Sequence, residues 1–236
     1  LYNKSIDEAS QLDLGKMLYE HMVTEYKKMR DDTSIEFSNS SQMEEFLEDG
    51  IAILNEVTKN RIDYFNTRHM NLVAIELPIY SKALDSHNVY MRGFLDLVFE
   101  DTYENKLQIW DIKTSTNGWN KWMKADKNKT DQLLLYKQFY GAENNISTDK
   151  IDVEYFIVKR KLYEKVDFPQ RRVQTFQPAS GKPSINKLMN NLNHFLEESF
   201  IDGEYNLEHN YIKQPSKKNC RYCVFNQTEH CDVGVK

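Results

Sequence analysis

The residues best placed to do chemistry in this chain lie between Gly93 and Lys113. The stretch reads Gly93-Phe94-Leu95-Asp96-Leu97-Val98-Phe99, then a polar break from Glu100 to Lys106, then Leu107-Gln108-Ile109-Trp110-Asp111-Ile112-Lys113. Two apolar runs of strand composition meet at a hairpin-like break, and each carries a carboxylate inside an otherwise apolar segment. Alternate side chains of a strand share a face, so Asp111 and Lys113 are expected to point one way and Ile112 to the opposite, core side. If the strands pair, Asp96 can lie close to Asp111. Two ionised carboxylates about 4 Å apart repel by roughly 4 kcal/mol at an effective dielectric of about 20. A divalent cation relieves that repulsion, and hard cations such as Mg²⁺ take oxygen ligands while keeping waters for exchange with substrate. Lys113 would reach the same site, to orient or help deprotonate a metal-bound water. Taken alone, the three residues fit equally well as ordinary polar positions on a solvated sheet face.

Residues elsewhere weigh on that choice. After Lys113, Thr114-Ser115-Thr116-Asn117-Gly118-Trp119 has the composition of a loop. A helical segment follows, roughly 128–140, in which Gln132 and Tyr136 stand four apart and project from one face. Upstream, Glu76 is a lone carboxylate in the strand-like run Leu72-Val73-Ala74-Ile75-Glu76-Leu77-Pro78. Leu14-Gly15-Lys16-Met17-Leu18-Tyr19-Glu20-His21 lies early in a helix.

In this order the residues resemble the PD-(D/E)XK nuclease superfamily, and within it the RecB-type branch. That branch includes the nuclease domains of recombination helicases, the CRISPR-adaptation nucleases and the mitochondrial genome-maintenance exonucleases. Its pattern is a glycine-then-histidine helix, a glutamate before a hairpin, Gly-x-x-Asp, Asp/Glu-x-Lys and Gln-x-x-x-Tyr. Here these are His21, Glu76, Gly93 with Asp96, Asp111 with Lys113, and Gln132 with Tyr136. The resemblance covers about residues 10 to 160. Asp-x-Lys alone is a weak signal; five elements in the right order are a strong one. One element departs from the pattern. The branch histidine follows its glycine by four residues, whereas Tyr19 holds that offset and His21 lies six beyond Gly15. Six residues turn a helix by about 600° against about 400° for four, so the two positions face different ways. Either another glycine is the matching one or Glu20 takes the metal-facing role.

The elements that must position these residues read as helices at 5–30 and 41–66, opened by the capping-box patterns Ser5-x-x-Glu8 and Ser41-x-x-Glu44. Strands follow near 70–80, 88–100 and 106–113, then the Gln132 helix, strands near 151–160 and 171–177, and a helix near 184–200. The run Ile151 to Val158 alternates apolar and polar, as a half-buried strand does. The expected fold is α/β: a mixed central β-sheet flanked by helices, a restriction-endonuclease-like core, with a Cys-containing C-terminal tail. It is read as one RecB-like nuclease domain over 1–236, with a helical part to 67, the catalytic sheet and Gln132 helix over 68–178, and a metal-binding tail over 215–236. A chain of 236 residues is long enough for one large core, burying roughly 70% of its unfolded surface.

No run approaches 18 apolar residues, the N-terminus lacks the apolar segment of a signal peptide, and there is no initiator Met, which fits a piece of a longer chain. A cytoplasmic setting, in a bacterial or phage-infected cell, is expected. The net charge of −5 argues at first against a nucleic-acid partner. Its distribution answers in part. Lys121, Lys124, Lys127 and Lys129 cluster in the loop expected between the second carboxylate strand and the Gln132 helix. Lys159-Arg160-Lys161 and Arg171-Arg172 form further clusters, while Glu44, Glu45, Glu48 and Asp49 lie in the helical N-terminal part. A local positive track binds phosphates despite an acidic total; the plainer reading is a set of solvated charged faces.

All three cysteines lie in the tail, as Cys220-Arg221-Tyr222-Cys223 and Cys231. Without an export signal, disulfides explain them poorly. Zinc and iron–sulfur centres both take four protein ligands as a rule, and three cysteines leave one open. In several RecB-type nucleases a 4Fe–4S cluster staples the tail to the start of the domain, with one cysteine from before the first helix. The tail matches that three-cysteine end, and the upstream cysteine is absent. His230 beside Cys231 offers a zinc alternative, and plain free thiols remain the third reading.

The resemblance implies a Mg²⁺- or Mn²⁺-dependent deoxyribonuclease, an exonuclease on single-stranded DNA ends in recombination, repair or replication, with a helicase or recombination partner. Asp96 and Asp111 would bind the metal, with the Ile112 carbonyl, Glu76 and His21 adding to the shell. Lys113 would position the attacking water. Gln132 and Tyr136 would hold Lys113 or a phosphate, and Trp119, Trp122 and Tyr136 could stack on unpaired bases. A site-specific endonuclease and a non-catalytic DNA-binding assembly protein on the same fold are the rival readings.

Overall fold

The computed structural model describes residues 8, 11–65, 69–83, 88–209 and 212–235. Its centre is a five-stranded mixed sheet in the order β1-β2-β3-β4-β5. The strands are β1 (Met70–Lys82), β2 (Tyr90–Asp101), β3 (Lys106–Ser115), β4 (Ile151–Lys159) and β5 (Val173–Phe176). β1, β2 and β3 form an antiparallel meander; β3 and β4 are parallel, and β5 returns antiparallel. A parallel neighbour requires a crossover. The chain makes it with a short helix (Lys121–Ala125) and a long one (Lys127–Glu143), before β4.

Numbered in chain order, the helices are α1 (Leu14–Thr33), α2 (Ser40–Lys59), α3 (Arg61–Tyr64), the crossover pair α4 and α5, α6 (Lys182–Ser199) and α7 (Lys217–Cys220). Both faces of the sheet are covered. On one, Leu133, Tyr136 and Phe139 of α5 and Leu196 of α6 pack with Ile79, Leu95, Val98, Ile109, Val153, Tyr155 and Ile157. On the other, Ile53 and Val57 of α2 and the aromatic pair Tyr64 and Phe65 cover Met70, Phe99, Trp110, Phe156 and Val158. β4 is therefore buried on both faces along most of its length, not half-buried as its alternation suggests. It lies between two other strands and under two helical layers, and such strands lose the alternating pattern.

The N-terminal boundaries shift for local reasons. α1 starts at Leu14, where Asp13 accepts a hydrogen bond from the Lys16 amide; Ser5, expected to open this helix, lies outside the described residues. α2 is opened by Asn39 and Gln42, whose side chains and backbone amides satisfy each other reciprocally, so the capping box is two residues earlier than Ser41-x-x-Glu44. Asn60 interrupts the expected long second helix and separates α2 from α3. Among the described residues, no helix is long and apolar enough to cross a membrane.

The basic clusters near 160 and 171 serve this fold. Lys161 Nζ lies 3.0 Å from Glu45 and 3.2 Å from the buried Asp49, both on α2. Arg171 pairs with Asp63 at 3.1 Å, the Arg172 amide donates to Glu56, and the Arg172 guanidinium donates to the Lys159 and Arg160 carbonyls. Arg160 stacks over Phe46. Acidic α2 and the basic β4–β5 connection are thus two sides of one clamp, and these residues do not form the open positive track expected of them.

Candidate active site

The sheet forks at the carboxylates. The β2–β3 ladder runs from Asp101↔Lys106 to Leu97↔Trp110 and stops there. Beyond it, β2 continues back to Tyr90 paired only with β1, and β3 continues to Ser115 paired only with β4. The next position on each strand is Asp96 and Asp111. Asp96 Oδ2 accepts the Ile112 amide at 2.6 Å, so a carboxylate takes the place of the missing ladder acceptor. The neighbouring pairs Ile75↔Leu97 and Leu77↔Leu95 set Glu76 beside Asp96, and Asp111 pairs with Tyr155. One row of side-chain positions, Glu76, Asp96, Asp111 and Tyr155, therefore crosses four strands at the fork.

Asp111 is only 2% exposed. Burial pushes its carboxyl above the usual range, the Lys113 ammonium pulls it down, and the charge of Asp96 pushes it up again. Lys113 Nζ stands 2.7 Å from Asp111 Oδ2, so the Asp-x-Lys spacing on one strand face becomes an ion pair. Ile112 points to the opposite face, as its parity requires, but it is 42% exposed and is not a core residue. The fork contributes to this: past Leu97↔Trp110, β3 has no β2 neighbour beside Ile112.

Glu76 is exposed and has φ of 50°. Among the described residues with left-handed backbone, it alone lies inside a strand. Such strain costs about 1–3 kcal/mol and collects at functional sites. Sequence patterning found Glu76 as a lone carboxylate but had no means of seeing the strain.

The Gly-x-x-Asp and Gln-x-x-x-Tyr elements meet across the α5–β2 interface. A Cβ added at Gly93 would stand 2.8 Å from Tyr136 Cε1, so only glycine lets the buried Tyr136 lie against β2. Gln132 Nε2 donates to the Tyr136 hydroxyl at 2.9 Å. The hydrogen bond given to this pair is internal to it, and the expected link from either residue to Lys113 is not formed. Tyr155, which sequence reading missed, lies beside Asp111; its hydroxyl donates to the Lys129 carbonyl at 2.5 Å, and burial together with the Asp111 charge pushes its phenol up. Only the β3–β4 register could have found it.

Other expected residues lie apart. His21 is exposed on α1, a helix without buried residues whose main packing partner is α2, and it is not brought to the carboxylates. The lysine segment is helical, not a loop. Lys121, Lys124 and Lys129 lie over the rings of Trp122, Phe176 and Trp119 respectively, while Lys127 is exposed at the start of α5. Trp119 is core: it packs on Tyr155 and Phe176, and Gln174 bonds its backbone amide and carbonyl. With Tyr136 also buried, Trp122, 74% exposed, is the one expected stacking residue that solvent reaches.

In the tail, Cys220 is buried at the end of α7, Cys223 is exposed and Cys231 is half-buried; all three are free thiols. With His230 they line one surface cavity. Among the described residues no group of three His, Cys, Asp or Glu side chains is gathered to hold a metal ion. The arrangement does not support a 4Fe–4S cluster or a zinc centre: the thiols border a common cavity, carried by a short helix and the turns after it, but are not drawn together as ligands. The same test at the fork leaves a two-carboxylate site with Glu76 one strand away. That donor set fits Mg²⁺ or Mn²⁺, which need only one or two carboxylates when waters and substrate phosphates complete the shell.

No curated protein matches the chain. The model of the PD-(D/E)XK nuclease superfamily matches residues 8–228 of the 236, spanning both arms of the fork, the Gln132–Tyr136 helix and most of the tail. The chain therefore belongs to the PD-(D/E)XK nuclease superfamily, whose members are generally phosphodiester hydrolases that work with Mg²⁺ or Mn²⁺.

Proposed function

We propose that this protein is a divalent-metal-dependent deoxyribonuclease of the RecB-type branch, acting on single-stranded DNA ends. The observation that carries the reading is the fork, with Asp96 and Asp111 adjacent and Lys113 at 2.7 Å from Asp111. Asp96, Asp111 and the Ile112 carbonyl, with Glu76 beside them, would hold Mg²⁺ or Mn²⁺. When bound, that ion lowers the pKa of water and polarises a phosphoryl oxygen.

The protein's own part is positioning. Burial of Asp111 keeps its carboxylate in a low-dielectric setting, where charge interactions are stronger than in water. Lys113 neutralises Asp111 in the free protein and offers the same ammonium to a phosphate oxygen when substrate enters. Gly93 and Tyr136 fix α5 against β2, three residues from Asp96. Trp122, with Lys121 beside it, presents a ring and a cation to an approaching strand. The order of motifs supports the branch and the preference for ends; the whole chain is read as one nuclease domain.

A time course on end-labelled single- and double-stranded DNA with Mg²⁺ or Mn²⁺ tests this. Shortening of linear single strands, stopped by EDTA, is expected. Cutting of circular DNA at fixed positions would favour a site-specific endonuclease. Binding without any cleavage, under both metals, would leave a DNA-binding assembly protein.

A further inference from the structure

Past the fork, the β1–β2 ribbon carries a face that the proposed chemistry does not use. One side packs into the core through Leu77, Ile79, Met91 and Leu95. The other side exposes Tyr80 and Tyr90, 62% and 46% accessible, and Phe94. The two tyrosine rings lie 4.9 Å apart and 3° from parallel. The register sets Tyr80 opposite Arg92 and Lys82 opposite Tyr90, and the Arg92 guanidinium lies 5.8 Å from the centre of the Phe94 ring. Asp96 follows Phe94 by two residues on the same strand, a rise of about 7 Å.

A contiguous patch of large exposed aromatic rings rimmed by polar residues marks an interaction site. The sequence of surfaces narrows the partner. Rings offer faces to flat, apolar bases, Lys82 and Arg92 offer charge to phosphates, and β2 carries the patch to within two residues of Asp96. We propose that this face of the β1–β2 ribbon is a stacking platform for the unpaired bases of single-stranded DNA, guiding the strand along β2 toward Asp96 at the fork. The inference rests on the nuclease reading above and adds a binding surface to it.

The test is fluorescence anisotropy with a labelled oligodeoxythymidine, an abasic strand of equal length and a blunt duplex, in EDTA, using wild type, the Tyr80→Ala/Tyr90→Ala variant and the Tyr80→Phe/Tyr90→Phe variant. Base–aromatic stacking is lost with the rings, so the alanine variant should bind oligodeoxythymidine about tenfold more weakly. The phenylalanine variant should bind as wild type does, and abasic and duplex affinities should not separate the three proteins. Arg92→Gln should instead flatten the salt dependence by about one phosphate contact. Equal oligodeoxythymidine affinity for wild type and the alanine variant would overturn the proposal, as would failure of wild type to bind that strand. A change of molecular mass on removing the rings, with affinity for the strand unchanged, would assign the face to a second copy of the chain and also overturn it. Parallel cleavage in Mg²⁺ separates the two claims: cutting with ring-independent binding defeats only the platform, and ring-dependent binding without cutting defeats only the nuclease reading.

Discussion

At the fork, strand register brings Asp96 and Asp111 together from positions fifteen residues apart in sequence, and the Asp-x-Lys spacing closes an ion pair at 2.7 Å. In the tail, Cys220, Cys223 and Cys231 are closer in sequence yet are not drawn together as ligands, carried as they are by a four-residue helix and a series of turns. The difference teaches how ligand-rich motifs should be weighed. A sheet fixes neighbours through a ladder of backbone hydrogen bonds, whereas turns fix them only locally. The same contrast separates the two basic regions. Lys161 and Arg172 are tied to α2 and Arg171 to α3, while Lys121 and Lys127 remain exposed.

The sharpest way to break this comparison is to remove a fork carboxylate. Asp111→Asn should cut turnover a hundredfold or more, about 3 kcal/mol in the barrier, and should weaken Mn²⁺ binding measured by calorimetry. Unchanged turnover would put the chemistry elsewhere. Next in size is Gly93→Ala, whose methyl would meet the Tyr136 ring. Overpacking of this kind costs about 1–3 kcal/mol, so chemical denaturation should show lower stability, and cleavage should fall about tenfold as α5 moves off β2. Stability without loss would mean that Tyr136 has room to yield.

The two basic regions should then part. Neutralising Lys121, Lys124, Lys127 and Lys129 together should weaken DNA binding and reduce its salt dependence. Lys161→Met should leave DNA affinity unchanged and lower stability, since it strips the partner from the exposed Glu45 and the buried Asp49 of α2. A reversed outcome, read by anisotropy and denaturation, would exchange the roles of the regions. The smallest effect belongs to the tail: Cys231→Ser should leave cleavage within about twofold. A large loss of activity, or bound iron or zinc released by the substitution, would show that the tail thiols do converge on a metal.

Much of this was legible in the sequence. Apolar runs with polar breaks marked β1, β2 and β3, and the parity of Asp111, Ile112 and Lys113 set their faces correctly. What remained hidden depends on non-local packing. The ladder's end at Leu97↔Trp110, which leaves Ile112 without a β2 neighbour, has no sequence signature. The Gly93–Tyr136 contact joins two motif elements through a space that only their packing defines. The left-handed backbone of Glu76 falls on a residue type that does not announce it. The basic clusters misled because charge in sequence does not say whether an acidic helix folds against it, and α2 does.

Lys113 is the residue on which chemistry at the fork most directly depends. Single-turnover cleavage of a linear single strand in Mg²⁺ should be compared for wild type and Lys113→Ala, with circular dichroism establishing that both are folded. Lys113 is surface-accessible enough for its removal to leave the sheet intact, so the expected result is a folded protein at least about a hundredfold slower. A folded Lys113→Ala protein that cleaves at nearly the wild-type rate would contradict it.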